Sequence, residues 1–279
     1  MIPARARRRR RALAPAALAA VLIATAAAAV ALGSGSSSSP PSSSSRAPAS
    51  ADDVTADVPA PVRPAFTPGK PIALSSGAVA HWAPVVSAVS ARSAPDAGAP
   101  VVADLTTRTP EGTTNLVLAL SRATDAAGNV WVRARLPVLP NDLTGWIPRS
   151  ALGGYIAVRT RLVVDLEELE ATLYRDGQEI FRADVGVGQS AWPTPKGEFY
   201  IRNKLTRYAS PEYGPLAFGT SARSPTLTDW PAGGFVGIHG TNRPDLLPGR
   251  VSHGCIRLEN SDILRLATLM PVGTPLTIQ

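Results

Sequence analysis

Residues 171–187 read ATLYRDGQEIFRADVGV, and the pair Asp176-Gly177 sits near the middle. Asp-Gly is the dipeptide that a two-residue type I′ turn favours, because both central positions need φ > 0. Runs with strand character flank it, Ala171–Tyr174 before and Glu179–Val187 after, so the stretch predicts a β-hairpin. The pattern continues on both sides. Arg161–Leu166 (RLVVDL) predicts a strand, and Pro193-Thr194-Pro195-Lys196-Gly197 predicts a turn into a strand at Glu198–Arg202 (EFYIR). Further on, Asn260 predicts the cap of a short helix over Ser261–Met270, with Ile263, Leu264, Leu266, Ala267 and Met270 on its apolar face. Pro271-Val272-Gly273 stops that helix, and Pro275–Ile278 returns as a last strand. The fold class is therefore mainly β with a short C-terminal helix. With 27 Pro and 23 Gly in 279 residues, the composition also favours a turn-rich β protein over a helical bundle.

A separate β unit is expected upstream, over 79–152. Val85–Ala91, Val101–Leu105, Leu116–Ser121 and Val130–Leu136 are short β-like runs, separated by turns such as Pro95-Asp96-Ala97-Gly98 and Gly128-Asn129. The ending Gly145-Trp146-Ile147-Pro148-Arg149-Ser150-Ala151-Leu152 resembles bacterial SH3-like domains. That resemblance implies a small β-barrel able to bind cell-wall peptide. A plain spacer whose Trp131 and Trp146 fill its core remains an equal alternative.

The charge is segregated. The formal net charge is +7 and the isoelectric point about 10.2. Yet Arg5, Arg7 to Arg11 and Arg46 precede the first acidic residue, Asp52, and from there on acidic and basic residues balance. The basic character belongs to a tail and gives no support to nucleic-acid binding by the body of the chain. Ala12–Leu32 is free of charge and rich in alanine, which fits either a membrane anchor or a signal peptide ending near Ala29-Val30-Ala31. In both cases the arginines keep the N-terminus (1–33) inside and the rest is exported. A Ser/Pro-rich linker is expected over 34–78.

The chain has one cysteine and three histidines. Cys255 lies in Ser252-His253-Gly254-Cys255-Ile256-Arg257-Leu258, and His239 lies in Gly237-Ile238-His239-Gly240-Thr241. A thiol is mostly protonated near neutral pH, so a nucleophilic cysteine needs a partner. An imidazolium in hydrogen-bond reach favours the thiolate, and the same ring can return a proton to a leaving amine. Gly254 lets the backbone turn sharply and aim the amides of Gly254 and Cys255 at an oxyanion. His239, His253 and Cys255 have zinc-ligand chemistry, but no CxxC or HxxxH spacing accompanies them, so no metal is expected. His81, beside Trp82, reads as a surface or packing histidine.

IHGT followed by SHGCIRL, with WPTPKGEFYI upstream and an N-terminal apolar run, resembles the L,D-transpeptidases of bacterial cell walls and their YkuD-type catalytic domain. The resemblance covers 155–279. It implies a β-rich catalytic domain, Cys255 as nucleophile, His239 as its base and His253 beside the thiolate. It further implies an oxyanion hole from the amides of His253, Gly254 and Cys255, and donor binding by Arg257. Ser252 and Gly240 belong to the same motif, with roles in hydrogen bonding and backbone geometry. Where some relatives have serine after the upstream histidine, this chain has Gly240, so that contact must come from main chain. The implied partners are peptidoglycan tetrapeptide stems as donor and acceptor, plus a membrane at the N-terminus; no cofactor is implied. Hydrolysis of the same acyl-enzyme, as an L,D-carboxypeptidase or cysteine peptidase, is the alternative activity. A non-catalytic wall-binding protein is the alternative from another class.

Overall fold

The structure, a computed structural model, describes residues 69–75, 77–206, 210–227 and 234–279. The expected basic tail, apolar run and most of the linker lie outside them. Among the described residues no helix is long and apolar enough to cross a membrane. All the described residues belong to one compact unit, in which two sheets meet.

The first sheet is built from β1 (Ile72–Ala73), β2 (Ala80–Pro84), β3 (Val89–Arg92), β4 (Val101–Leu105), β5 (Leu116–Thr124), β6 (Val130–Arg135), β7 (Thr144–Pro148) and β8 (Ile156–Val158). Its order is β4-β3-β7-β6-β5-β2-β8, with β1 on β5. The run Val85–Ala91, expected as one strand, is divided. Val85 leaves the end of β2 to bridge Leu152, and pairing resumes only at Val89. Trp131 and Trp146 pack with Ala123 in a small cluster of their own. Trp131 Nε1–H donates to Asp125 Oδ2 at 2.9 Å, so its polar end is satisfied as its ring is buried.

The second sheet follows with β9 (Thr160–Asp165), β10 (Glu170–Arg175), β11 (Gln178–Asp184), β12 (Gly186–Gly188), β13 (Gly197–Leu205), β14 (Ala217–Arg223), β15 (Phe235–His239), β16 (Gly249–Ser252), β17 (Ile256–Arg257) and β18 (Pro275–Ile278). Asp176 and Gly177 take φ of 52° and 80°, so the hairpin between β10 and β11 turns as its dipeptide requires. The order is β11-β10-β9-β18-β13-β14-β15-β17-β12-β16. The last strand is thus inserted in the sheet, parallel to β9 and antiparallel to β13. Leu162, Val164, Leu173, Phe181, Phe199, Phe218, Ile238 and Ile256 form the core beneath it.

One helix, α1 (Asn260–Leu269), closes that core with Ile263 and Leu266. Two expectations change here. Leu264 points outward and is 49% exposed. Asn260 is also not the cap: that position is Glu259, and the Asn260 side chain instead bonds the backbone at Thr241.

The sheets are joined by specific polar contacts. Tyr200 Oη–H, fully buried, donates to the Leu116 carbonyl at 2.9 Å. Arg202 on β13 has a side chain only 1% exposed, and Glu111 from the β4–β5 connection lies 3.0 Å away as its counter-ion. The same guanidinium sits 3.7 Å from the centroid of the Phe235 ring. Removing one member of such a buried pair leaves a desolvated charge, which costs more than the pair itself is worth. Glu111→Ala should therefore lower the unfolding free energy by about 3 kcal/mol, measured by urea denaturation. Glu111→Leu with Arg202→Met should recover most of that loss; an equal loss in both variants would show that the charge pair is not its source.

Candidate active site

The parallel pairing of β15 and β17 sets the geometry. Ile238 pairs with Ile256 and His239 with Arg257. His239 therefore ends one strand while Cys255 immediately precedes its neighbour. Gly237 N–H donates to Cys255 Sγ at 3.4 Å. A Cβ placed on Gly237 would lie 3.8 Å from Cys255 Sγ and 3.8 Å from His239 Cδ2, so thiol and imidazole converge over this residue.

His239 is 3% exposed. Its Nδ1 lies 2.6 Å from the Gly240 carbonyl. A carbonyl can only accept, so Nδ1 carries the proton and Nε2 is the basic nitrogen. The contact expected from main chain at Gly240 is thus made. Tyr213, on a short 3₁₀ turn (Pro211–Tyr213), packs its ring on the imidazole at 4.4 Å between centroids. Burial pushes the His239 pKa down to about 4; the positive charge of Arg257 acts the same way, and the Gly240 carbonyl opposes both. Desolvation raises the Cys255 thiol above its ordinary value, against the Gly237 N–H and Arg257. Both shifts therefore favour thiol and neutral imidazole over the imidazolium and thiolate that the sequence suggests. Such a pair can still pass the thiol proton to Nε2 as sulfur attacks.

The turn that carries Cys255 is held from two sides. Ser252, fully buried, donates its hydroxyl to the Cys255 carbonyl at 2.6 Å and accepts the Gly254 N–H at 3.1 Å. Thr194 Oγ1–H donates to the Gly254 carbonyl at 2.8 Å and accepts the Gly188 N–H at 2.9 Å. Gly254 itself has φ of 109°, which a side chain would strain. Its amide, one of those expected at an oxyanion, is held by Ser252. His253 is exposed and stacks obliquely on Trp192, at 4.3 Å between rings. The buried Nε of Arg257 has no hydrogen-bond partner among the described residues.

Cys255, His239, His253 and Arg257 line one cleft of about 460 Å³, together with Tyr213 and Phe235. Ser252, Gly254 and Gly240 shape it from behind. His81 lies apart, on β2 against the Leu74 carbonyl. Tyr213 covers His239, whereas Ala217–Thr220 is buried in β14. In the sequence Thr194 and Trp192 read only as parts of a turn and a motif. The available signal was a hydroxyl between two prolines, which must find a partner once buried.

Fold and cleft together define a β-rich domain with a cysteine and a histidine facing one cavity. Residues 159–278 match the family model of the YkuD L,D-transpeptidase catalytic domain. A Bacillus licheniformis protein assigned as the L,D-transpeptidase YkuD is 34% identical over 118 residues, covering 42% of this chain and 64% of the relative. Its Bacillus subtilis counterpart is 38% identical over 94 residues, covering 34% and 50%. The chain thus spans between half and about two thirds of the length of these relatives. The solution structure of the catalytic domain from the Enterococcus faecium L,D-transpeptidase is 28% identical, covering 43% of this chain and 96% of that one, with a TM-score of 0.34.

A resting thiol has a measurable signature. Alkylation of Cys255 by iodoacetamide should keep accelerating beyond about pH 8.5, where a free cysteine is half ionised. A rate that is already flat between pH 5 and 8, by the criterion for a thiolate–imidazolium pair, would overturn the neutral resting state.

Proposed function

We propose that the chain is an exported peptidoglycan L,D-transpeptidase that forms 3→3 cross-links between tetrapeptide stems. The observation that carries this reading is the convergence of Cys255, His239 and Arg257 on one cleft within a segment that matches the L,D-transpeptidase family model. Arg257 receives a carboxylate of the donor stem, which suits its planar, multidentate guanidinium. Cys255 Sγ attacks the carbonyl of the diamino acid at position three while His239 Nε2 takes the thiol proton. The tetrahedral oxyanion is met by main-chain amides of the 253–255 turn other than that of Gly254, which Ser252 holds. As it collapses, the bond to the terminal D-alanine breaks, and His239 returns the proton to that departing amine. A thioester on Cys255 remains.

The side-chain amine of an acceptor stem then attacks the thioester. It loses its proton to His239 and regenerates the thiol, leaving an amide between two third-position residues. Water in place of the amine would give a shortened stem, the carboxypeptidase alternative. The six arginines before the apolar run place the domain outside the cytoplasm in this reading.

Incubation of the full chain with purified tetrapeptide muropeptides, followed by mass analysis, tests the proposal. Dimers lacking one D-alanine are expected, and none from Cys255→Ala. His239→Gln should lower kcat by about a thousandfold, the usual scale for losing a general base. Shortened monomers alone would establish the hydrolytic alternative, and undiminished dimers from Cys255→Ala would overturn the mechanism.

A further inference from the structure

We propose that Asn260 is a positioning residue for His239 and acts through the Gly240–Thr241 peptide bond. The inference rests on the reading of His239 as the base of Cys255. Thr241 N–H donates to Asn260 Oδ1 at 3.0 Å. The carbonyl of that same peptide unit, on Gly240, accepts the His239 Nδ1–H at 2.6 Å. One rigid plane is therefore gripped at both ends, by a helix residue on one side and by the imidazole on the other. Rotation of this peptide would withdraw the acceptor from Nδ1, and Nε2 would lose both its orientation and its tautomer.

The surroundings are fitted to this contact. A Cβ on Gly240 or on Gly214 would collide with Asn260 Oδ1, so two main-chain segments approach that one oxygen at distances only glycine permits. Thr241 is 1% exposed, so without Asn260 its N–H has no access to water in exchange. The local reading of Asn260 as a helix cap fails because Glu259 occupies that position. In a low-dielectric setting, serial hydrogen bonds through a peptide polarise one another. Acceptance by Asn260 thus makes the Gly240 carbonyl a stronger acceptor as the imidazole gains its proton.

The other charged or titratable groups around the ring stay constant in the test. Arg257 faces it from β17, and Cys255 and Tyr213 lie against it. Glu212, Arg243 and His253 line the same cleft. Glu259 and Asp262 flank Asn260 in sequence at the start of α1.

The experiment uses full-length protein with isotope-labelled histidine, comparing wild type, Asn260→Ala and Asn260→Asp. NMR titration of His239 is read beside steady-state kinetics on tetrapeptide muropeptides. Asn260→Ala should lower kcat about tenfold and leave KM nearly unchanged, the pattern of a misoriented base. Asn260→Asp keeps the shape and the acceptor but adds a negative charge. It should retain most of kcat and raise the His239 midpoint from about 4 by roughly one pH unit. A purely helical role predicts that the nitrogen shifts of His239 in Asn260→Ala still report the Nδ1–H tautomer, whereas loss of the grip on the Gly240–Thr241 peptide predicts that this tautomer is lost. An unmoved titration in Asn260→Asp would overturn the proposal, and it decides the matter even if Asn260→Ala does not fold. If wild type releases no D-alanine and makes no dimer, the proposed function fails, while the His239 titration still reports whether Asn260 holds the ring.

Discussion

The site depends on a two-residue parallel pairing. Ile238 lies opposite Ile256 and His239 opposite Arg257, and nothing in the fifteen residues between His239 and Cys255 need be regular for this to hold. Both isoleucines are fully buried, so their side chains fix the register by packing. A slip by one residue would turn Ile238 and Ile256 out of the core and carry His239 away from Cys255. The short strand β17 is pinned again on its other edge, where Arg257 pairs with Gly186 of β12. The geometry of the cleft in this chain is thus a by-product of core register, which costs no extra ordering beyond that of the fold.

Burial in that core also decides the electrostatics. Desolvation lowers the His239 pKa and raises that of Cys255, so both shifts favour the uncharged pair. An ion pair at rest would need two desolvated charges, and desolvation outweighs the support that Gly237 and Arg257 give the thiolate and Gly240 gives the imidazolium. A neutral pair avoids that cost and separates charge only when sulfur meets an electrophile. Arg257 then acts unequally on the two partners: its charge disfavours imidazolium and favours thiolate. The balance calls for a partner that supports the imidazolium from the far side, and the Gly240 carbonyl is placed there.

What was legible in the sequence is what short-range chemistry determines. Asp176-Gly177 announces its hairpin because turn type depends on the φ of two adjacent residues. Cys255, His239 and Arg257 are recognisable because their neighbours form a compact signature, although the signature is silent on protonation. The remainder required partners distant in sequence. Val85 reads as the first residue of a strand running to Ala91, yet it bridges Leu152. Asn260 has the local form of a helix cap, yet its acceptor is used nineteen positions away at Thr241. Pro275–Ile278 reads as a strand, but nothing in it indicates insertion between β9 and β13.

The first sheet is more than an appendage in this arrangement, and the reason is a charge. Arg202 lies in the interior of the second sheet and carries an almost completely desolvated guanidinium, which burial alone drives toward losing its proton. Its counter-ion, Glu111, comes from the first sheet, and that carboxylate also accepts from Asn203 Nδ2 at 3.2 Å. Asn203 in turn takes the Gly219 N–H with its Oδ1 at 3.0 Å, on the strand next to β15. On the other flank the Arg202 guanidinium backs the ring of Phe235, a wall of the cleft. A carboxylate from one sheet thus neutralises a cation that supports the cleft of the other. Packing between the two sheets is consequently electrostatic as well as apolar, and their mutual placement is tied to the shape of the site that holds Cys255.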